Sequence, residues 1–268
     1  DFSRSRGLGD VYKRQHLNSL ITSKTKIVSI VGESNMSGML PNIKEIVSNV
    51  KSKSDAIFIL DGAQLVPHRF VDVQDLGIDF LCVSGHKMLG PTGIGVVWGR
   101  KELWDSMDPV YGGGDMIEEV YYDKATWAPV PHKFEAGTPP FVEAIGLGVA
   151  AEYLMNITMS EVQQHSDSLR EYAKSKLENI DGLNVIHSIS KNAGCTFAMS
   201  VEGAHAADIS LMLDTYGVAV RAGHHCVQPF HRKLKLDATF RATGYIYNNE
   251  EDFDTLAYAI ENSIKMLK

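Results

Sequence analysis

Residues 26–64 read KIVSIVGESNMSGMLPNIKEIVSNVKSKSDAIFILDGAQ, and the order of patterns within that stretch decides the fold. Residues 26–30 and 56–60 are short, continuous apolar runs, as strands covered on both faces tend to be. Between them, residues 42–52 place Ile43, Ile46, Val47 and Val50 at helical spacing, with Pro41 suited to a first-turn position. Strand, helix, strand is a βαβ unit, the building block of a parallel sheet. Further on, residues 79–83 and 93–98 add two more apolar runs, expected as strands of the same parallel sheet. The pattern then predicts helices over 140–155 and 160–180. Strands near 196–201 and 218–221 and helices near 206–216 and 250–266 follow, a plausible smaller α+β unit. The expected division is a large domain over 16–155 and a small one over 156–268, although no Pro/Gly linker marks the boundary.

Composition narrows the function classes. The 268 residues are 44% hydrophobic and 22% charged, with a formal net charge of -7 and a pI of about 5.8. An acidic balance argues against nucleic-acid and anionic-membrane partners. The apolar runs are too short to cross a bilayer. The three cysteines, Cys82, Cys195 and Cys226, form no CxxC pair and no disulfide framework, which suits a reducing compartment. The cytoplasm is the expected location, or an organelle stroma in a eukaryote. Residues 1–15 carry Arg4, Arg6, Lys13 and Arg14 without an apolar core, so they do not read as a secretory leader. They read as foreign to the fold or disordered.

Two segments carry the chemistry. ILDGAQ ends an apolar run in Asp61, and SGHK ends a later one in Lys87. Ligands of open α/β sheets sit beyond the carboxyl ends of the strands, so Asp61, Ser84, His86 and Lys87 converge on one place. Taken singly, the aspartate is more often a turn or cap, the lysine a solvated side chain and the histidine a satisfied polar group. Together they match what pyridoxal phosphate (PLP) asks for. A lysine binds its aldehyde, and a carboxylate keeps its ring nitrogen protonated. Hydroxyl and imidazole groups take the phosphate, and Gln64 is in reach of the ring hydroxyl.

A second constellation is RAGHHC, residues 221–226. A cysteine after a glycine and two histidines in a polar loop has the setting of a reactive thiolate. Either histidine could shuttle protons near neutral pH. A zinc site is the minority alternative, because only His231 follows at a workable spacing; an inert loop thiol is the other. Cys82 and Cys195 lie in apolar runs and read as inert core thiols.

With these segments in hand, the sequence resembles the class V aminotransferase-type PLP enzymes, and within them the SufS-type (group II) cysteine desulfurases. ILDGAQ, SGHKMLGPTGIG, GGGDMI, FEAGTP and RAGHHCVQP carry the resemblance, which runs from about His16 to the C-terminus. It implies the fold type I, aspartate aminotransferase-like α/β architecture, with a mostly parallel large-domain sheet and a smaller α+β domain. It implies Lys87 and Cys226 as catalytic residues, with Asp61, Gln64, Ser84, His86 and Lys87 around the cofactor. Thr138 would contact the phosphate held by the opposite subunit of a homodimer. Asn35, Arg221 and Arg241 would meet the substrate, Arg241 through its carboxylate. Gly32 and Glu33 depart from the family's pattern, as does Thr243 beside Arg241. The implied reaction converts L-cysteine to L-alanine and leaves a persulfide on Cys226, with no metal. It would supply sulfur for iron–sulfur cluster assembly through a SufE/SufU-like acceptor protein. L-selenocysteine is the alternative substrate. The family also carries a further amino-terminal portion, so a truncated remnant that only dimerises or binds an acceptor is the non-enzymatic alternative.

Overall fold

The structure is a computed structural model that describes residue 17, residues 19–186 and residues 193–267. The expectation for residues 1–15 falls outside the described residues.

The first sheet contains β1 (Ile27–Val31), β2 (Ile57–Asp61), β3 (Phe80–Ser84) and β4 (Gly95–Gly99), in that order. β1, β2 and β3 run parallel, with Val31 opposite Asp61 and Asp61 opposite Cys82, so β1 and β2 finish level and β3 runs two residues further. β4 runs antiparallel to β3, which corrects the expectation that all four strands are parallel. The connection over residues 85–94 is shorter than the dozen or so residues a parallel crossover needs.

α1 (Ile43–Lys51) supplies the crossover between β1 and β2. Its Asn42 cap accepts a hydrogen bond from the Glu45 amide, and Ile43, Ile46, Val47 and Val50 are buried as their spacing predicts. Burial of such side chains contributes roughly 1.5–3 kcal/mol each. Pro41 precedes the cap instead of sitting in the first turn. The opposite end of the sheet is held by Asp79, buried at the entry to β3. Asp79 accepts from the Phe58 amide at 2.8 Å and pairs with Lys51 at 2.5 Å and Arg100 at 3.0 Å. These contacts satisfy its carboxylate, and they leave the carboxyl ends of the strands open for chemistry.

After β2 come two short helices, α2 (Leu65–His68) and α3 (Val73–Leu76). After β4 come α4 (Lys101–Ser106) and an antiparallel hairpin of β5 (Ile117–Val120) and β6 (Ala125–Trp127). Two long helices then meet at 76°, α5 (Phe141–Ile157) and α6 (Met159–Leu177). Thr158 makes the bend with a positive φ of 75°, and its side chain caps α6 by accepting from the Glu161 amide at 3.3 Å. No single helix among the described residues is long and apolar enough to cross a membrane.

The second sheet is antiparallel and includes β7 (Leu183–Ile186) and β8 (Thr196–Val201). α7 (Ala206–Asp214), β9 (Arg221–Gly223), α8 (Gln228–Leu234), β10 (Thr239–Thr243) and α9 (Glu250–Leu267) complete the chain, with strand order β7-β8-β10-β9. Its core joins Phe197, Met199 and Phe240 to Leu169, Ile209, Leu213, Phe253 and Ile260 from α6, α7 and α9.

The loop after β1 and the α2 segment dock the two sheets. Met39 bridges Ala193, and the Gly194 amide donates to the Gly38 carbonyl at 2.7 Å. Arg69 reaches Asp167 at 2.6 Å and the Ala193 carbonyl at 3.1 Å, and the Tyr245 hydroxyl donates to the Pro67 carbonyl at 2.9 Å.

Candidate active site

The carboxyl ends of β2 and β3 bring Asp61 and Ser84 to one edge, with Ser84 two residues beyond the register partner of Asp61. Asp61 is exposed there and accepts from the Ala63 amide at 3.0 Å. Gln64 follows at the entry to α2, where its side chain makes no capping bond. Past Ser84 the chain winds through a one-turn 3-10 helix, Gly85–Lys87. That turn is tight because the Met88 and Gly90 amides both donate to the Gly85 carbonyl at 3.0 Å. A methyl group on Gly90 would come within 2.8 Å of both that carbonyl and Leu147 of α5. Ser84 Oγ and His86 Nδ1 are 3.1 Å apart at the surface of the turn.

Lys87 is half-buried, and burial pushes its amine below the usual lysine value. Asp61 opposes that shift, Arg241 reinforces it, Cys226 opposes it and Arg221 reinforces it. One amine on the first sheet is therefore in electrostatic reach of a carboxylate on the same sheet and of three groups from the second. Arg241 lies on β10 directly opposite Arg221 on β9, and Cys226 follows β9 by three residues. Arg241 is itself shifted down, by burial first and then by Arg221, with Cys226 opposing.

The loop that carries Cys226 has an unusual backbone. His225 and Cys226 both adopt positive φ, 51° and 62°, which L-residues rarely do in succession. The thiol is exposed. The His225 ring is 2% exposed, and its Nε2 lies 3.1 Å from the Thr239 carbonyl and 2.9 Å from the Thr239 hydroxyl. Burial, then Arg241, takes its pKa down to about 4, so it is neutral at pH 7. Of the two candidate shuttles, His224 is the exposed one and His225 is a structural anchor. His231 is buried, with Nε2 at 3.0 Å from the Thr239 hydroxyl and Nδ1 at 3.3 Å from the Val227 carbonyl. Among the described residues no group of three or more His, Cys, Asp or Glu is placed to hold a metal.

The remaining thiols differ from each other. Cys195 is 1% exposed, and burial raises its pKa to about 12. Cys82 is only half-buried, and burial and its neighbour Asp61 raise its pKa too. Asn35 binds protein instead of facing open space: its amide donates to the His225 carbonyl at 2.7 Å. Thr138 is exposed ahead of α5 and forms no hydrogen bond with Asp61, Ser84, His86 or Lys87 among the described residues.

Sequence reasoning assigned nothing to Glu33. It is 3% exposed, and neither carboxylate oxygen has a hydrogen-bond partner. Burial raises its pKa to about 8; Arg69 opposes, Asp167 adds, and Lys87 opposes. The departure of Gly32-Glu33 from the family's pattern was the available signal.

The donor set fits PLP. An amine of lowered basicity suits its aldehyde, the Asp61 carboxylate a ring nitrogen, and the Ser84–His86 pair a phosphate.

The class-V aminotransferase family model matches residues 8–256. A probable cysteine desulfurase of Halalkalibacterium halodurans is 43% identical over 251 residues, covering 94% of this chain and 61% of that protein. The cysteine desulfurase of Haloferax volcanii is 42% identical over 247 residues, covering 92% of this chain and 58% of that protein. The chain thus spans about 60% of the length of these curated relatives. Among solved structures, the Escherichia coli cysteine desulfurase CsdA superposes with a TM-score of 0.89 at 35% identity, over 95% of this chain and 63% of that one. The apo cysteine desulfurase of Thermococcus onnurineus also gives 0.89, at 31% identity, over 94% and 63%. With the fold shared at that level and the family model spanning nearly the whole chain, this protein belongs to the class-V aminotransferase family.

Proposed function

We propose that this chain carries the catalytic apparatus of a PLP-dependent cysteine desulfurase of the SufS type. The observation that carries the reading is the meeting of Lys87, Cys226 and Arg241 in one electrostatic site, although they come from two sheets. The names of the relatives point the same way. When bound, PLP supplies an aldehyde for an amino group and a protonated ring that draws electrons from the α-carbon.

The chain's own residues do the rest. Asp61 would hold the ring nitrogen protonated, Gln64 the ring oxygen, and Ser84 and His86 the phosphate. Thr138 would reach the phosphate of the partner subunit in a homodimer. Arg241 binds the substrate carboxylate, for which a planar guanidinium has two parallel donors, and Arg221 adds a second positive charge beside it. Lys87 Nζ, depressed by burial, keeps a larger neutral fraction at pH 7 than a solvated lysine and can take the α-proton. Cys226 Sγ takes the sulfur. A bond forms between Sγ and the substrate sulfur while the bond from that sulfur to the β-carbon breaks. The balance is thiol plus L-cysteine giving persulfide plus L-alanine. His224, the exposed one of the two histidines before Cys226, would move its proton. Residues 16–155 would form the cofactor half and 156–268 the cysteine-loop half. A docked acceptor protein would collect the sulfur for iron–sulfur cluster assembly.

The test is alanine and persulfide production from L-cysteine with added PLP. Cys226→Ala should take up PLP like the parent and yield neither product. Release of alanine by Cys226→Ala at the parent's rate would sink the nucleophile assignment.

A further inference from the structure

The loop that presents Cys226 is held from two sides, and both holds trace back to β10. Thr239 and Arg241 are two residues apart on that strand, so their side chains share one face. Thr239 grips the His225 ring. Arg241 acts one step removed: its Nη1 donates to the Asn35 main-chain carbonyl at 2.7 Å, and the Asn35 side-chain amide donates to the His225 carbonyl at 2.7 Å. His225 is the residue before Cys226, and the two form the consecutive left-handed pair. Such backbone persists only where its surroundings hold it. Asn35 is itself fixed, because the Met36 and Ser37 amides donate to the Ser34 hydroxyl at 3.3 and 3.2 Å and the Ser34 amide donates to the Met39 carbonyl at 2.9 Å. The Arg241 Nε is buried without a hydrogen-bond partner, so the Nη1 bond is what ties this guanidinium to the loop.

We propose that Asn35 is a positioning residue that couples carboxylate binding at Arg241 to the conformation of the Cys226 loop. It deepens the desulfurase reading, resting on Arg241 as the carboxylate ligand and Cys226 as the sulfur acceptor. A carboxylate that pairs with the guanidinium fixes its plane. Fixing that plane fixes the Nη1 bond to Asn35, and the Asn35 amide then holds the His225 carbonyl. The thiol would be held more firmly in its left-handed turn when a substrate carboxylate is present than when the site is empty. A purely structural asparagine would hold the loop equally with or without the anion.

Hydrogen exchange of the segment over residues 221–227, read by mass spectrometry on the purified chain, tests this. Sodium acetate is compared with sodium chloride at equal ionic strength. In the parent, acetate should slow exchange of this segment at least threefold. Asn35→Asp keeps the shape and the main-chain carbonyl but cannot donate to His225, so its segment should exchange alike in both salts. Asn35→Ser carries the same expectation if thermal melting shows that Asn35→Asp does not fold. A parent that does not respond to acetate, or a variant that responds as the parent does, overturns the proposal. Failure of the desulfurase reading would appear separately, as alanine production surviving in Cys226→Ala.

Discussion

Replacing Glu33 with glutamine should stabilise this protein in mild alkali and do little in acid. Glu33 is a carboxyl group sealed from water with both oxygens unbonded. Burial is the largest influence on it, and its pKa rises from 4.5 to about 8. An acid whose folded pKa exceeds its unfolded one keeps its proton longer in the native state. Its contribution to stability is then fully present below about 4.5 and is lost as pH climbs toward about 8. Each pH unit in that window removes about 1.4 kcal/mol, so the gap from 4.5 to about 8 sets a ceiling of about 5 kcal/mol. Relaxation lowers the cost: the buried Nε of Arg69 is unpaired and can turn toward a newly formed carboxylate. A gain of about 2–4 kcal/mol for Glu33→Gln at pH 8 is the expected result.

The assay is urea unfolding of parent and variant at pH 5, 6, 7 and 8. The difference between them isolates Glu33 from other titrating groups, notably His68 and His225. Both histidines sit at about 4 against an ordinary 6.5, so they cost stability as pH falls through that range, the opposite direction. The expected difference is smallest at pH 5 and grows steadily in the variant's favour. A difference that stays flat from pH 5 to 8 would refute the reasoning, because Glu33 would then be ionised in the fold throughout.

Borohydride reduction of the PLP-loaded parent should fix the cofactor on the peptide containing Lys87, and Lys87→Ala should take up no covalent label; label on another lysine of the parent would reassign the amine. Gly194→Ala should destabilise by about 1–3 kcal/mol, because a methyl group there would overlap the Glu33 carboxylate. The same substitution in a Glu33→Ala background should cost at least about 1 kcal/mol less. Strict additivity in that double-mutant cycle would show that the two residues do not meet.

The strands of the first sheet were legible because apolar runs of β-branched residues, bounded by Ser, Gly and Lys, have few other uses. The direction of β4 was not, since it depends on the length of a loop and not on the strand's own residues. Residues 218–220 read as strand but instead follow α7, with the Val218 amide closing onto the Leu213 carbonyl at 3.1 Å. The strand begins at Arg221, where pairing with β10 starts. The β5–β6 hairpin escaped notice because IEEV and ATW are short and carry no Asn-Gly or Asp-Gly turn signal. Asp61, Ser84, His86, Lys87 and Cys226 stood out because unusual polar groups end apolar runs. The bond from Asn35 to His225 spans 190 positions, and nothing local to either residue announces it.

Glu33 and Asn35 are two residues apart on the loop after β1, and both meet the second sheet. Glu33 presses on Gly194 at the entry to β8, and Asn35 holds the backbone beside Cys226. The loop between them has little freedom, since Met36 is fully buried and Gly38 accepts from the Gly194 amide. A negative charge at Glu33 would draw Arg69 from Asp167 and the Ala193 carbonyl, two of the contacts that dock the sheets. The position of the Cys226 loop and the protonation of Glu33 therefore depend on the same few residues. With Glu33 neutral, Arg69 keeps its bonds to Asp167 and the Ala193 carbonyl, and these, with the Asn35–His225 bond, are among the contacts that dock the two sheets.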